Sequence, residues 1–401
     1  MTMNASASKT VLLLPSWYLP EGGEFVREQA IQLVRQGIDA RILAGVELPW
    51  KKYPLKALFH SWHDKEYKDD GVLIYRRFLR RIPMTFRDAD KMEEANLQRW
   101  TKDILQLFAR YCHKHGKPAL IHAHSSIWAG YVAAQIKAQY GIPYVLTEHR
   151  GIFAQQSDLA IRSFRPFYTF YLEKAFSEAD YIFAPSEQML PKIHSYLRQP
   201  VSDEVCSNIV DTDFFSLPQP SRSRNSTFRF IAINSYRDVK GYDLLLPAFD
   251  RVCEQDADVE LVILGDGFNH PDFQRLLQTC RHRDKLRFTG FLEPAGVRAE
   301  LWKSNAFVLS SRVEAQCISV LEALSTGIPV VCTEAVPEYT VPPSTGIRVP
   351  VEDMQKLATA MLRMKRSFTA YTPAMLHEHA ERIASRRQVI ARLQRLYGQY
   401  L

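Results

Sequence analysis

Glu314 and Glu322 lie eight residues apart in Glu-Ala-Gln-Cys-Ile-Ser-Val-Leu-Glu, and each carboxylate can accept hydrogen bonds from a pair of hydroxyls. The apolar run Ala306 to Leu309 predicts a buried strand ending at Ser310-Ser311. Cys317 to Ser325 predicts a helix, stopped by Gly327-Ile328-Pro329 ahead of a second strand, Val330-Val331. Glu314 then falls in a strand-to-helix turn, beside backbone N–H groups free to meet an anion. Glu322 rides the helix about two turns further on. Two carboxylates flanking a phosphate-sized positive end suit a sugar nucleotide.

The elements that must position these groups alternate between strand and helix, which argues for parallel sheets wrapped by helices. In the first half, strands are predicted at Thr10 to Pro15, Asp39 to Ala44, Ala119 to His122, Pro143 to Leu146 and Tyr181 to Ala184. Helices are predicted at about Glu24 to Gln36, Ile127 to Tyr140 and Arg162 to Glu178. The stretch Ser216 to Thr227 is rich in Ser, Pro and Arg and marks a boundary. A second alternating series runs from Phe228 to Val331, and a basic helix from about Pro373 carries Ile383, Ile390, Leu393 and Tyr397. The division expected is 1–200, 201–372 and a C-terminal helix, 373–401.

The chain has 401 residues, 46% hydrophobic and 24% charged, typical of a globular protein with two domains. Its six cysteines are scattered without a Cys-x-x-Cys pair, so a reduced, cytoplasmic setting is expected. The net charge of +7 is matched by the stretch Lys51 to Leu120 alone, with 16 Lys and Arg against 9 Asp and Glu. Within it, residues 75–84 interleave Arg76, Arg77, Arg80 and Arg81 with large apolar groups. That pattern fits an anionic membrane surface, a solvated loop, or a strand with alternating faces. No nucleic-acid-binding motif accompanies it, and nucleic acid is not an expected partner.

The Glu314–Glu322 segment resembles the Glu-x7-Glu motif of retaining GT-B glycosyltransferases, family 4 in particular. The resemblance implies two Rossmann-like domains with parallel sheets facing across a cleft and a C-terminal helix returning to the first domain. By position, Glu314 approaches the donor sugar hydroxyls and Glu322 the ribose. Where the family usually has Gly-Phe-Gly, Ala315-Gln316-Cys317 stand here, placing Cys317 and Ile318 at the donor phosphates. Asn234 to Leu244 resembles the segment whose Arg and Lys neutralise the departing diphosphate: Lys240 matches, Ser235 replaces the Arg, and Arg237 is a candidate substitute. Gly22-Gly23 follows the first strand, where glycine lets backbone approach a phosphate, and the resemblance puts Gly23 at the diphosphate. Gly265, in Gly265-Asp266-Gly267, matches a turn near the donor, and Phe291 lies in the stretch whose backbone reads the base. His149 matches the His beside the transferred sugar and acceptor, where it would donate a hydrogen bond or orient the acceptor.

His122 is expected to pack, and His124 is open between the two roles. Three Asp-x-Asp strings, Asp88/Asp90, Asp211/Asp213 and Asp256/Asp258, raise a metal-dependent alternative, but no metal and no cofactor beyond the nucleoside diphosphate sugar is expected. The resemblance implies a metal-independent transfer of a sugar to a hydroxyl of a glycan or lipid-linked acceptor. The setting expected is assembly of a bacterial surface polysaccharide, including lipopolysaccharide, in the cytoplasm or peripherally on the inner face of the membrane. The alternatives are a non-catalytic protein that binds a sugar nucleotide or a partner, and a sugar-nucleotide epimerase.

Overall fold

The computed structural model describes residues 9–20, 22–47, 64–79, 89–154, 164–218 and 227–401. The chain forms two α/β units, each built on its own sheet.

The first unit comprises β1 (Val11–Pro15), α1 (Glu24–Arg35), β2 (Ala40–Glu47), β3 (Lys65–Asp69), β4 (Val72–Leu79), α2 (Ala89–His115), β5 (Leu120–His124), α3 (Tyr131–Tyr140), β6 (Tyr144–Thr147), α4 (Tyr168–Ser177), β7 (Tyr181–Ala184), α5 (Leu190–His194) and β8 (Asp203–Val205). Its sheet runs β3-β4-β2-β1-β5-β6-β7-β8, parallel except for β3. Helices cover both faces of such a sheet, so β1 and β5 are buried at every position.

The β3–β4 hairpin closes on Asp70-Gly71, both in the left-handed region that a two-residue hairpin loop demands. Here the basic stretch departs from a free cationic surface. Arg77 Nε lies 2.6 Å from Asp64, and the Arg76 guanidinium sits about 5 Å from the rings of Tyr67 and Phe78. Residues 75–79 are therefore strand, while Arg80, Arg81 and the rest of that run lie outside the described residues. No described helix is long and apolar enough to cross a membrane. The long α2 buries Leu97, Trp100, Ile104, Leu107, Phe108 and Tyr111, an apolar stripe at helical spacing inside a charged sequence.

The second unit comprises β9 (Phe228–Ile233), α6 (Tyr242–Gln255), β10 (Val259–Leu264), α7 (Pro271–Thr279), β11 (Leu286–Gly290), α8 (Pro294–Trp302), β12 (Ala306–Leu309), α9 (Ile318–Ser325), β13 (Val330–Thr333), β14 (Gly346–Val349), α10 (Met354–Ser367), α11 (Pro373–Ala384) and the start of α12 (Arg386–Tyr397). Its parallel sheet runs β11-β10-β9-β12-β13-β14 between two apolar layers.

The single helix expected from Pro373 is two. Ser385 is extended and bridges to Val210, ending α11. Residues Val210–Val389 group with the second unit and Ile390–Leu401 with the first, so the segment returning to the first domain starts at Ile390, not at 373. The chain passes between units at Ile209, nine residues beyond the expected boundary, and the described residues 151–154 are grouped with the second.

Candidate active site

In the second unit, β9 and β12 are neighbours, and the loops leaving their C-terminal ends carry Lys240 and Glu314. Ligands of parallel α/β sheets bind at that end. Lys240 Nζ donates to Glu314 Oε1 at 2.7 Å, and Glu314 is buried. Burial alone would favour neutral Lys240, but the charge of Glu314 and the hydrogen bond to it outweigh burial and raise its pKa, so it stays a cation. The two loops are held in register by Ser310 Oγ donating to the Lys240 carbonyl at 2.9 Å and by Arg312 N donating to the Val239 carbonyl at 2.8 Å.

Cys317 takes the N-cap position of α9 in a left-handed conformation, φ 71°, so the helix begins one residue later than the sequence indicates. Its Sγ lies 3.3 Å from Ser319 Oγ, and burial pushes its thiol up to about 12, so it adds no charge at the helix start. Gln316 is buried and donates to Tyr339 Oη at 3.0 Å, whereas Ile318 opens the first turn exposed. Glu322 is half-buried on α9, and among the described residues none donates to its carboxylate. Desolvation raises its pKa to about 7.

Gly265 requires glycine. Its φ is 140°, and an added Cβ would stand 2.3 Å from the Asn234 carbonyl oxygen and 2.9 Å from Ser235 N. Gly265 N donates to the Gly290 carbonyl at 3.0 Å, which ties the Ser235 loop to the residue before Phe291, itself 71% exposed. Arg237 does not pair with Glu314. It is exposed and lines a cavity of about 330 Å³ with Tyr236, Asp238, Tyr242, Asp243, Leu276 and Arg312, close enough to Lys240 to oppose its charge.

In the first unit, Gly22 and Gly23 both have positive φ. A Cβ on Gly23 would stand 2.7 Å from the Trp17 carbonyl oxygen, just where α1 begins. His124 Nδ1 and His149 Nε2 are 3.0 Å apart with stacked rings, and the Phe25 ring lies 4.3 Å from that of His149. Burial lowers the pKa of His149 to about 3, with a hydrogen bond to Asn208 opposing it, and holds His124 well below its ordinary value. Both imidazoles are neutral at pH 7. His122 is fully buried and tied to Tyr397 Oη, Gln29 Nε2 and Thr147 Oγ1, which accounts for it as packing.

Glu148 is a residue that sequence reasoning passed over. Its buried carboxylate accepts from Ser126 N and Oγ and from the backbone N–H groups of His149 and Arg150. Four donors hold the strand end on which His149 stands. A charged residue directly after the apolar strand was the available signal.

Among the described residues no group of three His, Cys, Asp or Glu is disposed to hold a metal ion. Asp211 accepts from Phe214 N and pairs with Arg386, Asp256 pairs with Lys365, and Asp90 pairs with Arg165. Asp88 lies outside the described residues.

Residues 22–202 match the family model of the glycosyl transferase 4-like domain, and residues 227–366 that of glycosyl transferases group 1. The chain is 27% identical over 303 residues to a subunit of human phosphatidylinositol N-acetylglucosaminyltransferase, covering 72% of this chain and 59% of that protein. It thus spans about three fifths of that relative's length. It is 25% identical over 342 residues to the putative teichuronic acid biosynthesis glycosyltransferase TuaC of Bacillus subtilis, covering 80% and 78%. Among solved structures, sucrose-phosphate synthase from Thermosynechococcus elongatus superposes with a TM-score of 0.77 at 18% identity, covering 98% of each chain. Anabaena HepE in complex with UDP superposes at 0.70 with 15% identity, covering 97% of this chain and 100% of that one. On its sheets, its matched segments and these likenesses, the chain consists of a glycosyl transferase 4-like domain followed by a glycosyl transferases group 1 domain on the GT-B fold.

Proposed function

We propose that this chain transfers a sugar from a nucleoside diphosphate sugar to a hydroxyl, with retention at the anomeric carbon and without a metal ion. The observation that carries it is the Lys240–Glu314 contact at the C-terminal ends of β9 and β12, beside the start of α9. In this reaction the bond between the anomeric carbon and the diphosphate oxygen breaks, and the acceptor oxygen bonds to the same face of the sugar. The acceptor proton passes to the leaving phosphate. Lys240 and the amides of α9 stabilise the charge gathering on the diphosphate, Glu314 holds the sugar hydroxyls, and Glu322 the ribose. His149, neutral and fixed by Glu148, serves the sugar or acceptor as a hydrogen-bonding group rather than as a cation.

A lipid-linked acceptor is favoured by two relatives whose names refer to lipids, the human phosphatidylinositol N-acetylglucosaminyltransferase and the alpha-monoglucosyldiacylglycerol synthase of Streptococcus pneumoniae. Melting shifts with UDP-, GDP- and ADP-sugars identify the donor. Incubation with and without acceptor lipid, with EDTA present, then reads transfer, and NMR of the product reads its anomeric configuration. Donor isomerised without acceptor would replace this function by epimerisation. Binding without turnover would leave a non-catalytic protein.

A pH dependence follows from Glu322. Its folded pKa of about 7 exceeds the ordinary 4.5, so the ligand-free fold binds the extra proton and loses stability as pH rises from 4.5 towards 7. Two ribose hydroxyls donating to the carboxylate favour its ionised form, so nucleotide binding releases a proton below pH 7. Calorimetry should show affinity for the nucleoside diphosphate rising between pH 5.5 and 7.5, by at most about tenfold per pH unit, and levelling above. Glu322→Gln should bind more weakly with no such slope. A flat profile in the unmodified protein would remove Glu322 from the ribose site.

A further inference from the structure

Lys240 and Glu314 come from separate loops, and one side chain pins those loops together. All five N–H groups of the Arg312 guanidinium are spent. Nη1 donates to the Asp238 carbonyl at 2.7 Å and to Asp243 Oδ1 at 2.9 Å, and Nη2 to Asp243 Oδ2 at 2.7 Å. Nη2 also donates to Glu352 Oε2 at 3.0 Å, and Nε to the other oxygen of Glu352. Its backbone N–H takes the Val239 carbonyl. Asp238, Val239 and Asp243 bracket Lys240, and Arg312 stands two residues before Glu314. Glu352 reaches Arg312 from a left-handed backbone, φ 64°, a conformation unfavourable for a residue with a Cβ and retained where the surroundings over-determine it.

We infer that Arg312 is a positioning residue that keeps Lys240 Nζ on Glu314, acting through that lysine and not on the ligand. With every donor committed to protein, the guanidinium has none left for a phosphate. The inference rests on the function proposed above. Lysine cannot replace it, because one ammonium cannot span two carboxylates and a carbonyl in a fixed fork.

The test is steady-state kinetics of Arg312→Met and Arg312→Lys in the full chain, each with Lys240 present and in the Lys240→Ala background. Turnover is followed by radiolabel with whichever of UDP-glucose, GDP-mannose or ADP-glucose the unmodified enzyme uses. Both substitutions should lower kcat by about thirtyfold while the donor KM moves less than about threefold, and in the Lys240→Ala background the further loss should be under about twofold. Glu352→Gln, a milder change, should lower kcat in the same way and likewise lose its effect without Lys240. Equal factors in both backgrounds, or a raised KM with kcat retained, would overturn the inference alone. An unmodified enzyme that turns over none of the three donors would overturn the proposed function, and this inference with it.

Discussion

Glu314→Gln is expected to lower kcat by about two to three orders of magnitude, the cost of removing one well-placed group from a charge-developing transition state. The carboxylate touches Lys240 at 2.7 Å and is buried, so it can align both the cation and the sugar hydroxyls. The amide keeps the shape and one acceptor, so the fold should tolerate it with a melting point lowered by only a few degrees. It leaves Lys240 without its counter-charge, and the ammonium becomes easier to deprotonate. The pH–rate profile of the variant should therefore lose its alkaline plateau at lower pH than the unmodified enzyme. Activity equal to that of the unmodified enzyme would sink the assigned role, and with it the ordering of the donor site around this contact.

The second large effect is expected from Gly241→Ala. Gly241 sits at φ 65°, and an added Cβ would stand 2.2 Å from the Ser310 carbonyl oxygen and 3.0 Å from its carbon. Both are backbone atoms, so no side chain can swing aside, and the Lys240 loop must lift from the strand end carrying Glu314. Left-handed strain plus overpacking amounts to roughly 2–5 kcal/mol, read as a melting point lower by about 5–15 °C. Donor turnover should fall by a further factor of about ten or more even where the protein remains folded, because the ion pair is separated. Gly37→Ala supplies the control. It has φ 82° but nothing within 4 Å of an added Cβ, so it should cost only about 1 kcal/mol and leave turnover unchanged. Comparable losses in the two variants would show that backbone strain alone, not the register of the loops, sets the effect.

Many elements of the two sheets were legible because they are short and strongly patterned. The strand Ala306–Leu309, the strand Tyr181–Ala184 and the helix ending at Ser325 have the bounds that apolar runs and the Gly-Ile-Pro stop indicate. Lys240 and Glu314, 74 residues apart in sequence, could be associated only through their places at two strand ends. Arg312 escaped notice because its partners, Asp243 and Glu352, are 69 and 40 residues away, and such pairs leave no local period. Glu148 is read only when its four donors are seen together, since Glu ordinarily stands on a solvated surface. The β3–β4 hairpin and α2 were hidden by their charge. There the apolar residues are few enough that composition drew attention to the cations, while the stripe from Leu97 to Tyr111 builds the core. The break at Ser385 carries neither Gly nor Pro, and its one local signal is the capping pattern Ser385-Arg386-Arg387-Gln388, in which Gln388 N donates to Ser385 Oγ at 3.4 Å to start α12.

Ile390, Leu393 and Tyr397 are buried parts of the first unit, yet they are synthesised only after the whole of the second. At about 5–20 residues per second, the ribosome leaves the nascent sheet without its closing helix for on the order of ten seconds or more. Throughout that wait the hydroxyl that steadies His122 is missing, and Ile390, Leu393 and Tyr397 have yet to take their buried places. Completion of the first unit is thus deferred, by the order of translation, until the residues of the second have been made.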